Sequence, residues 1–333
     1  MSSLPKQLRK VTDKGLLRQL EKGLEQVEAA LEVAVSHTDP IASVTARHLS
    51  SAGGKRVRPT LVLLTAQFGN QPLSQEVIDA SVVVELTHLA TLYHDDVMDN
   101  APMRRGVPSA HEIWGNSVAI LTGDLLFARA SQVVSRLGER ALALQANTFE
   151  RLCLGQLHET VGPQETDDSV AHYIQVLADK TGSLIAAAAE MGIMFGGADE
   201  SFREPVREYG ERIGVAFQLI DDVIDLQSDS ATSGKTPGTD LLAGVPTLPT
   251  LYLRQDAATD AASAELMARV DSVTEETLAA VVKDLGQHPA TSRAYAEARR
   301  WADDAIASLA PLPNTSAKQA MIAFAEAVVD RQN

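Results

Sequence analysis

The constraint that bears hardest on the fold is an apolar helical run ending in clustered acid, HLATLYHDDVMDN (88–100), which returns far downstream as FQLIDDVIDL (217–226). Each copy sets D-D-x-x-D behind apolar residues: Leu89, Ala90 and Leu92 in the first, Phe217, Leu219 and Ile220 in the second. On an α-helix, positions i and i+4 share a face about 5.4 Å apart. Asp95 and Asp99 therefore project together with Asp96 beside them, and Asp221 and Asp225 do the same with Asp222. Carboxylates this close repel one another. A hard divalent cation resolves the repulsion, and Mg2+ typically takes one or two carboxylates and completes its shell with water and phosphate oxygens. One such motif alone reads equally as a solvated helix end in an acidic protein. Two with the same spacing, each capping an apolar surface, point to a metal-assisted anion site.

Other uses of these residues fail on spacing. An EF-hand loop counted from Asp222 or Asp225 would need Glu at its twelfth position, where the chain has Ser233 or Thr236. Gly234-Lys235-Thr236 mimics the end of a P-loop, but the earlier glycine would fall at Asp229 and no strand precedes it.

The remaining pattern is helical. Residues 13–36 carry Leu16, Leu17, Leu20, Leu24, Val27, Ala30, Leu31 and Ala34 at helical spacing. A second helix spans about 41–49, a short one 61–68, and Ser74 opens the long helix that ends in the first motif. Residues 100–109 read as loop, followed by helices over about 115–137, 139–160, 168–180, 182–196 and 201–227. Residues 228–249 form a polar loop rich in Gly and Pro, and further amphipathic helices fill 250–330. No run alternates with period two and no linker interrupts the helices, so residues 1–333 are read as a single all-α domain.

Composition narrows the partners. A formal net charge of -15 argues against a nucleic-acid surface, though local cations or bound metal still admit a small anionic substrate. The single Cys153 excludes an intramolecular disulfide and fits a reducing compartment. The N-terminal residues lack the apolar core of a signal peptide. The most apolar stretch, 184–195, is interrupted by Glu190 and is too short to span a bilayer. A cytoplasmic protein with no stable membrane insertion is expected.

Cations suited to an anion cluster in three places. SAGGKRVRP (51–59) brings Lys55, Arg56 and Arg58 close behind two glycines, Arg104 and Arg105 follow the first motif, and His88 lies two turns before Asp95 on one face. Arginine binds phosphate with two parallel donors, and lysine acts as a point charge.

Together these residues resemble the trans-isoprenyl diphosphate synthases, the polyprenyl synthetase family. The landmarks are GGKRVRP (53–59), ELTHLATLYHDDVMDNAPMRRG (85–106), GNSVAILTGDLLFARA (115–130), GQL (155–157), Lys180-Thr181, FQLIDDVIDL, GKTPGTDL (234–241) and VVDR (328–331), in the family's order. The resemblance implies an isoprenoid synthase fold, all-α with helices around a central apolar cavity, and a homodimer. It implies Mg2+-dependent, head-to-tail condensation of isopentenyl diphosphate with an allylic prenyl diphosphate. By resemblance Asp95, Asp99 and Asp221 are direct metal ligands, supported by Asp96, Asp222 and Asp225. Arg104, Lys180 and Lys235, with Thr181 and Gln218, would take the allylic diphosphate, and Lys55, Arg58, His88 and Arg105 the isopentenyl diphosphate. One departure stands out: many members carry a second lysine after the loop, where this chain has Val245. Weaker allylic binding is the expected consequence.

Ala90 and Thr91, one turn before the first motif, are small where short-chain members often place bulky residues. This favours a long-chain product over a C20 product, unless the two merely pack against a neighbouring helix and Phe127, Phe149 or Leu152 builds the floor. A terpene cyclase would not need GGKRVRP or the second motif. A non-catalytic subunit of a heteromeric synthase would be expected to have lost aspartates, and all six are present.

Overall fold

The computed structural model describes residues 13–227 and 237–330. The N-terminal residues read for a leader, and the loop carrying Lys235, lie outside them. The chain divides into two compact units.

The first unit takes in residues up to Arg151, with Leu184–Gly210 and Ser308–Phe324. Its opening helix, Lys14–Val35, starts where the Asp13 carboxylate accepts from the amides of Gly15 (2.7 Å) and Leu16 (3.0 Å). Such a cap satisfies donors that have no partner inside the helix. The stripe Leu16, Leu20, Leu24, Val27, Leu31 is buried, as its spacing predicts. Helices Pro40–Ser51 and Val57–Thr65 follow.

The first-motif helix, Gln75–Met98, is capped by Ser74, whose hydroxyl accepts from the Val77 amide at 3.2 Å. It is buried almost all round from Val77 to Ala90, which makes it the centre of this unit. Helix Asn116–Val134 runs along it. They approach at Gly123, where a Cβ would fall 3.2 Å from the Ala90 carbonyl oxygen and 2.3 Å from Nε2 of His94. Among the described residues, the stretch Asn116–Leu137 is long and apolar enough to cross a membrane by length and composition. Its buried positions, including Ala119, Gly123, Leu126 and Ala130, recur at helical spacing.

The segment over 100–109, read as loop, holds a two-residue hairpin within the all-α fold. Met103–Arg104 and Val107–Pro108 pair antiparallel, with Arg104 opposite Val107. Strands of two residues carry no readable alternation, and this hairpin is the sole sheet among the described residues.

The second unit comprises Leu152–Ser183, Glu211–Ala307 and the chain from Ala325. Its core gathers Leu226, Leu253, Leu266, Val281, Leu285 and Ala290. The later part of the second-motif helix, Arg203–Gln227, belongs here. So does helix Leu248–Ala257, which opens with a reciprocal capping box between Thr247 and Thr250.

Candidate active site

In the first unit the three aspartates of the motif differ in burial. Asp96 is fully buried, and its Oδ1 accepts from Nε of Arg104 at 2.6 Å. Its Oδ2 is buried with no hydrogen-bond partner. Asp95 is half-buried, and Asp99 is exposed as the residue that caps the helix C-terminus, its amide donating to the Asp95 carbonyl at 2.8 Å. The donor set is therefore all oxygen, which suits a hard divalent cation. Among the described residues no three His, Cys, Asp or Glu side chains converge to cage a metal.

Next to them lies an arginine cluster built on an unusual backbone. Gly53 (φ 92), Gly54 (φ 154) and Arg56 (φ 46) turn the chain sharply before helix Val57–Thr65, and Arg105 also has positive φ (54). Gly54 is required here: a Cβ would stand 3.0 Å from Cζ of Arg105, in a conformation L side chains avoid. The Arg105 guanidinium donates to the carbonyls of Leu49 (2.9 Å) and Gly53.

Arg56 departs from the sequence reading. It is buried, with Nε 2.6 Å from Glu28 and Nη1 2.7 Å from Glu85, so it braces the turn rather than facing an anion. Arg58 is half-buried with its Nε unpartnered. Burial pushes its pKa down to about 10, with the charge of Glu85 opposing and that of Arg105 assisting. His88 is held well below the ordinary imidazole range by burial and by the charges of Arg58 and Arg105, so it is neutral at physiological pH. Lys55 stands exposed nearby in sequence.

Sequence reasoning missed Glu85. The available signal was an acid in the middle of VVVELTHLA, three residues before His88 and hence on the same face.

In the second unit, Lys180 and Thr181 lie on a π-helical turn, Ala178–Gly182. Such insertions are frequent at functional sites because they re-aim side chains. Nζ of Lys180 pairs with Glu159. Asp222 is buried and accepts from the Tyr173 hydroxyl (2.7 Å) and the Leu248 amide (3.2 Å). Burial pushes its pKa up to about 8, although both hydrogen bonds oppose the shift. Asp225 accepts from Thr239 Oγ1 at 3.1 Å. Asp221 and Gln218 are half-buried. Val245 is 43% exposed and its amide donates to the Asp240 carbonyl, so an apolar side chain occupies the expected lysine position.

Of the residues proposed to limit chain growth, Ala90 is fully buried beside Gly123. Thr91 is half-buried and its hydroxyl donates to the His88 carbonyl at 2.8 Å. Phe127 packs against Phe149 with the rings tilted and their centroids 4.3 Å apart, and the His94 ring centroid lies 5.7 Å from that of Phe127.

The family model for polyprenyl synthetase matches residues 39–285. The chain is 44% identical over 311 residues to a nonaprenyl diphosphate synthase of Mycobacterium tuberculosis, covering 93% of this chain and 92% of that protein. Among solved structures, a geranylgeranyl pyrophosphate synthase of Corynebacterium glutamicum, complexed with calcium and isoprenyl diphosphate, superposes with TM-score 0.84 at 41% identity, covering 96% of this chain and 98% of the other. A decaprenyl diphosphate synthase of Rhodobacter capsulatus gives TM-score 0.85 at 32% identity, with 96% and 98% covered.

Proposed function

The chain belongs to the polyprenyl synthetase family, and from that premise we propose that it condenses isopentenyl diphosphate head-to-tail with an allylic prenyl diphosphate, giving a long all-trans product in the hepta- to decaprenyl range, the size of a quinone side chain. It is a prenyltransferase of isoprenoid biosynthesis. One observation carries the reading. Arg105 is held beside buried Glu85, which Arg56 also braces, while Arg104 turns to Asp96; this separation of the two adjacent arginines supports a reading in which one helix and its loop serve two anion-binding tasks.

Asp95, Asp99 and Asp221 are assigned as Mg2+ ligands, with Asp96, Asp222 and Asp225 fixing the motifs around them. The metal, when bound, neutralises charge developing on the departing diphosphate. Arg104, Lys180 and Lys235, with Thr181 and Gln218, are assigned to the allylic diphosphate. Lys55, Arg58, His88 and Arg105 are assigned to isopentenyl diphosphate, with neutral His88 acting as a hydrogen-bonding group rather than a charge. The carbon–oxygen bond of the allylic diphosphate breaks, and the isopentenyl alkene supplies the electron pair for the new carbon–carbon bond. Loss of a proton then forms the product double bond, with the released diphosphate as the assigned base. The apolar helix faces exclude water that would otherwise quench the electron-poor carbon to an alcohol.

Small Ala90 and Thr91 and the nonaprenyl and decaprenyl relatives support the long-chain product. The 41% identical geranylgeranyl synthase supports C20 as the second reading. Turnover by the purified chain with farnesyl diphosphate, isopentenyl diphosphate and Mg2+ tests the function, and product length decides between the two. No turnover by the chain alone would favour a non-catalytic subunit. A single catalytic domain, a homodimer and a cytoplasmic location complete the proposal; light scattering on the eluted protein tests the dimer.

A further inference from the structure

Glu85 is a charged residue in the most buried part of the first-motif helix, with 2% exposure. A buried carboxylate is tolerated only when paired and hydrogen-bonded. Its Oε1 lies 2.7 Å from Nη1 of Arg56 and 3.7 Å from Nη2 of Arg105. Its charge also acts on Arg58. Arg56 is held from its other side by Glu28 and by the Ser50 carbonyl, at 3.1 Å. Arg105 is held by the carbonyls of Leu49 and Gly53 and fills the space that a side chain on Gly54 would need. Two guanidinium groups, those of Arg56 and Arg105, thus share one buried carboxylate, and each is tied to the turn that carries Lys55.

We infer that Glu85 is the positioning residue of the isopentenyl diphosphate site: it holds Arg105 against the Gly53–Gly54 turn, clamps that turn through Arg56, and keeps the guanidinium groups from repelling one another apart before substrate arrives. The inference rests on the assignment of Lys55, Arg58, His88 and Arg105 to isopentenyl diphosphate. Glu85 does not touch substrate. Pre-setting the donors removes the ordering that binding would otherwise require. Arg104 pairs with Asp96, outside this arrangement, so the allylic substrate should not sense Glu85.

The test is steady-state kinetics on the full chain with each substrate varied in turn. For Glu85→Gln the KM for isopentenyl diphosphate rises at least about tenfold, because a misplaced donor costs rate and affinity steeply. The KM for the allylic substrate stays within about twofold of wild type, and kcat at saturation within about threefold, since neither depends on groups that Glu85 positions. Glu85→Asp keeps the charge and restores most of the loss. The control is Glu190→Gln, which removes another buried carboxylate of the same unit, paired with the partly exposed Arg203, and should lower stability without changing either KM. An unchanged or lowered KM for isopentenyl diphosphate in folded Glu85→Gln overturns the inference, and so does an equal rise in both KM values. If the glutamine variant does not fold, Glu85→Asp carries the test: a small rise confined to isopentenyl diphosphate supports the inference, and no rise or a general one overturns it. Wild-type chain that incorporates no isopentenyl diphosphate would instead sink the functional reading itself, and the inference with it.

Discussion

Nε of Arg104 lies 2.6 Å from Oδ1 of Asp96, and that carboxylate is fully buried while the arginine is about one-third exposed. The middle aspartate of the first motif is thereby an anchor. Removing one partner of a buried pair leaves an uncompensated charge. Asp96→Asn is expected to cost about 2–3 kcal/mol, somewhat less than a fully buried pair because Arg104 reaches solvent. Asp99→Asn, at an exposed position, should change stability by no more than about 0.5 kcal/mol and yet lower kcat on the order of a hundredfold. Urea unfolding and kinetics on both variants check the contrast; equal stability losses would contradict it.

The state of His88 predicts a pH effect. Its folded pKa is depressed well below the ordinary value by burial and the neighbouring arginines. Between the folded and unfolded values the unfolded chain binds more protons, so this contribution is fully present above the unfolded pKa of about 6.5 and is lost as pH falls toward the folded value. His88→Asn should flatten the loss of stability between about pH 6.5 and pH 5. Denaturant midpoints across that range provide the measurement, and parallel curves for the two proteins would count against a neutral buried imidazole.

Ala90 is fully buried, next to the close approach at Gly123. Ala90→Phe is expected to shorten the product and also to cost roughly 1–3 kcal/mol through overpacking. Thr91→Phe, at a half-buried position, should shorten the product at less cost to stability. Reverse-phase separation of dephosphorylated products reads chain length directly. If both variants make the wild-type product, the growing chain passes neither residue.

Val245 is exposed enough for substitution without strain. Val245→Lys should lower the KM for the allylic substrate by about two- to fivefold at low salt, less at high salt, as expected for one added screened cation. An unchanged KM would mean that this position lies away from the allylic diphosphate.

The parts of this structure legible in the sequence are those set by local chemistry. Ser74 and the apolar run after it fix where the first-motif helix begins, and the leucine stripe marks the opening helix. The π-helical turn under Lys180 and the hairpin around Arg104 were not legible, because neither has a periodic signature. Arg56 looked equivalent to Arg58 in GGKRVRP; only the tertiary placement of Glu28 and Glu85 separates a brace from a ligand. Glu85 itself read as one polar residue on an apolar helix. Its meaning depends on arginines from two distant loops.

The most direct test of the central claim is stoichiometry on the purified chain. With an allylic primer, radiolabelled isopentenyl diphosphate and Mg2+, the account predicts one diphosphate released for each isopentenyl unit incorporated, with both signals abolished by a chelator or by omitting the primer. Diphosphate release without incorporation, or incorporation that survives the chelator, would contradict it.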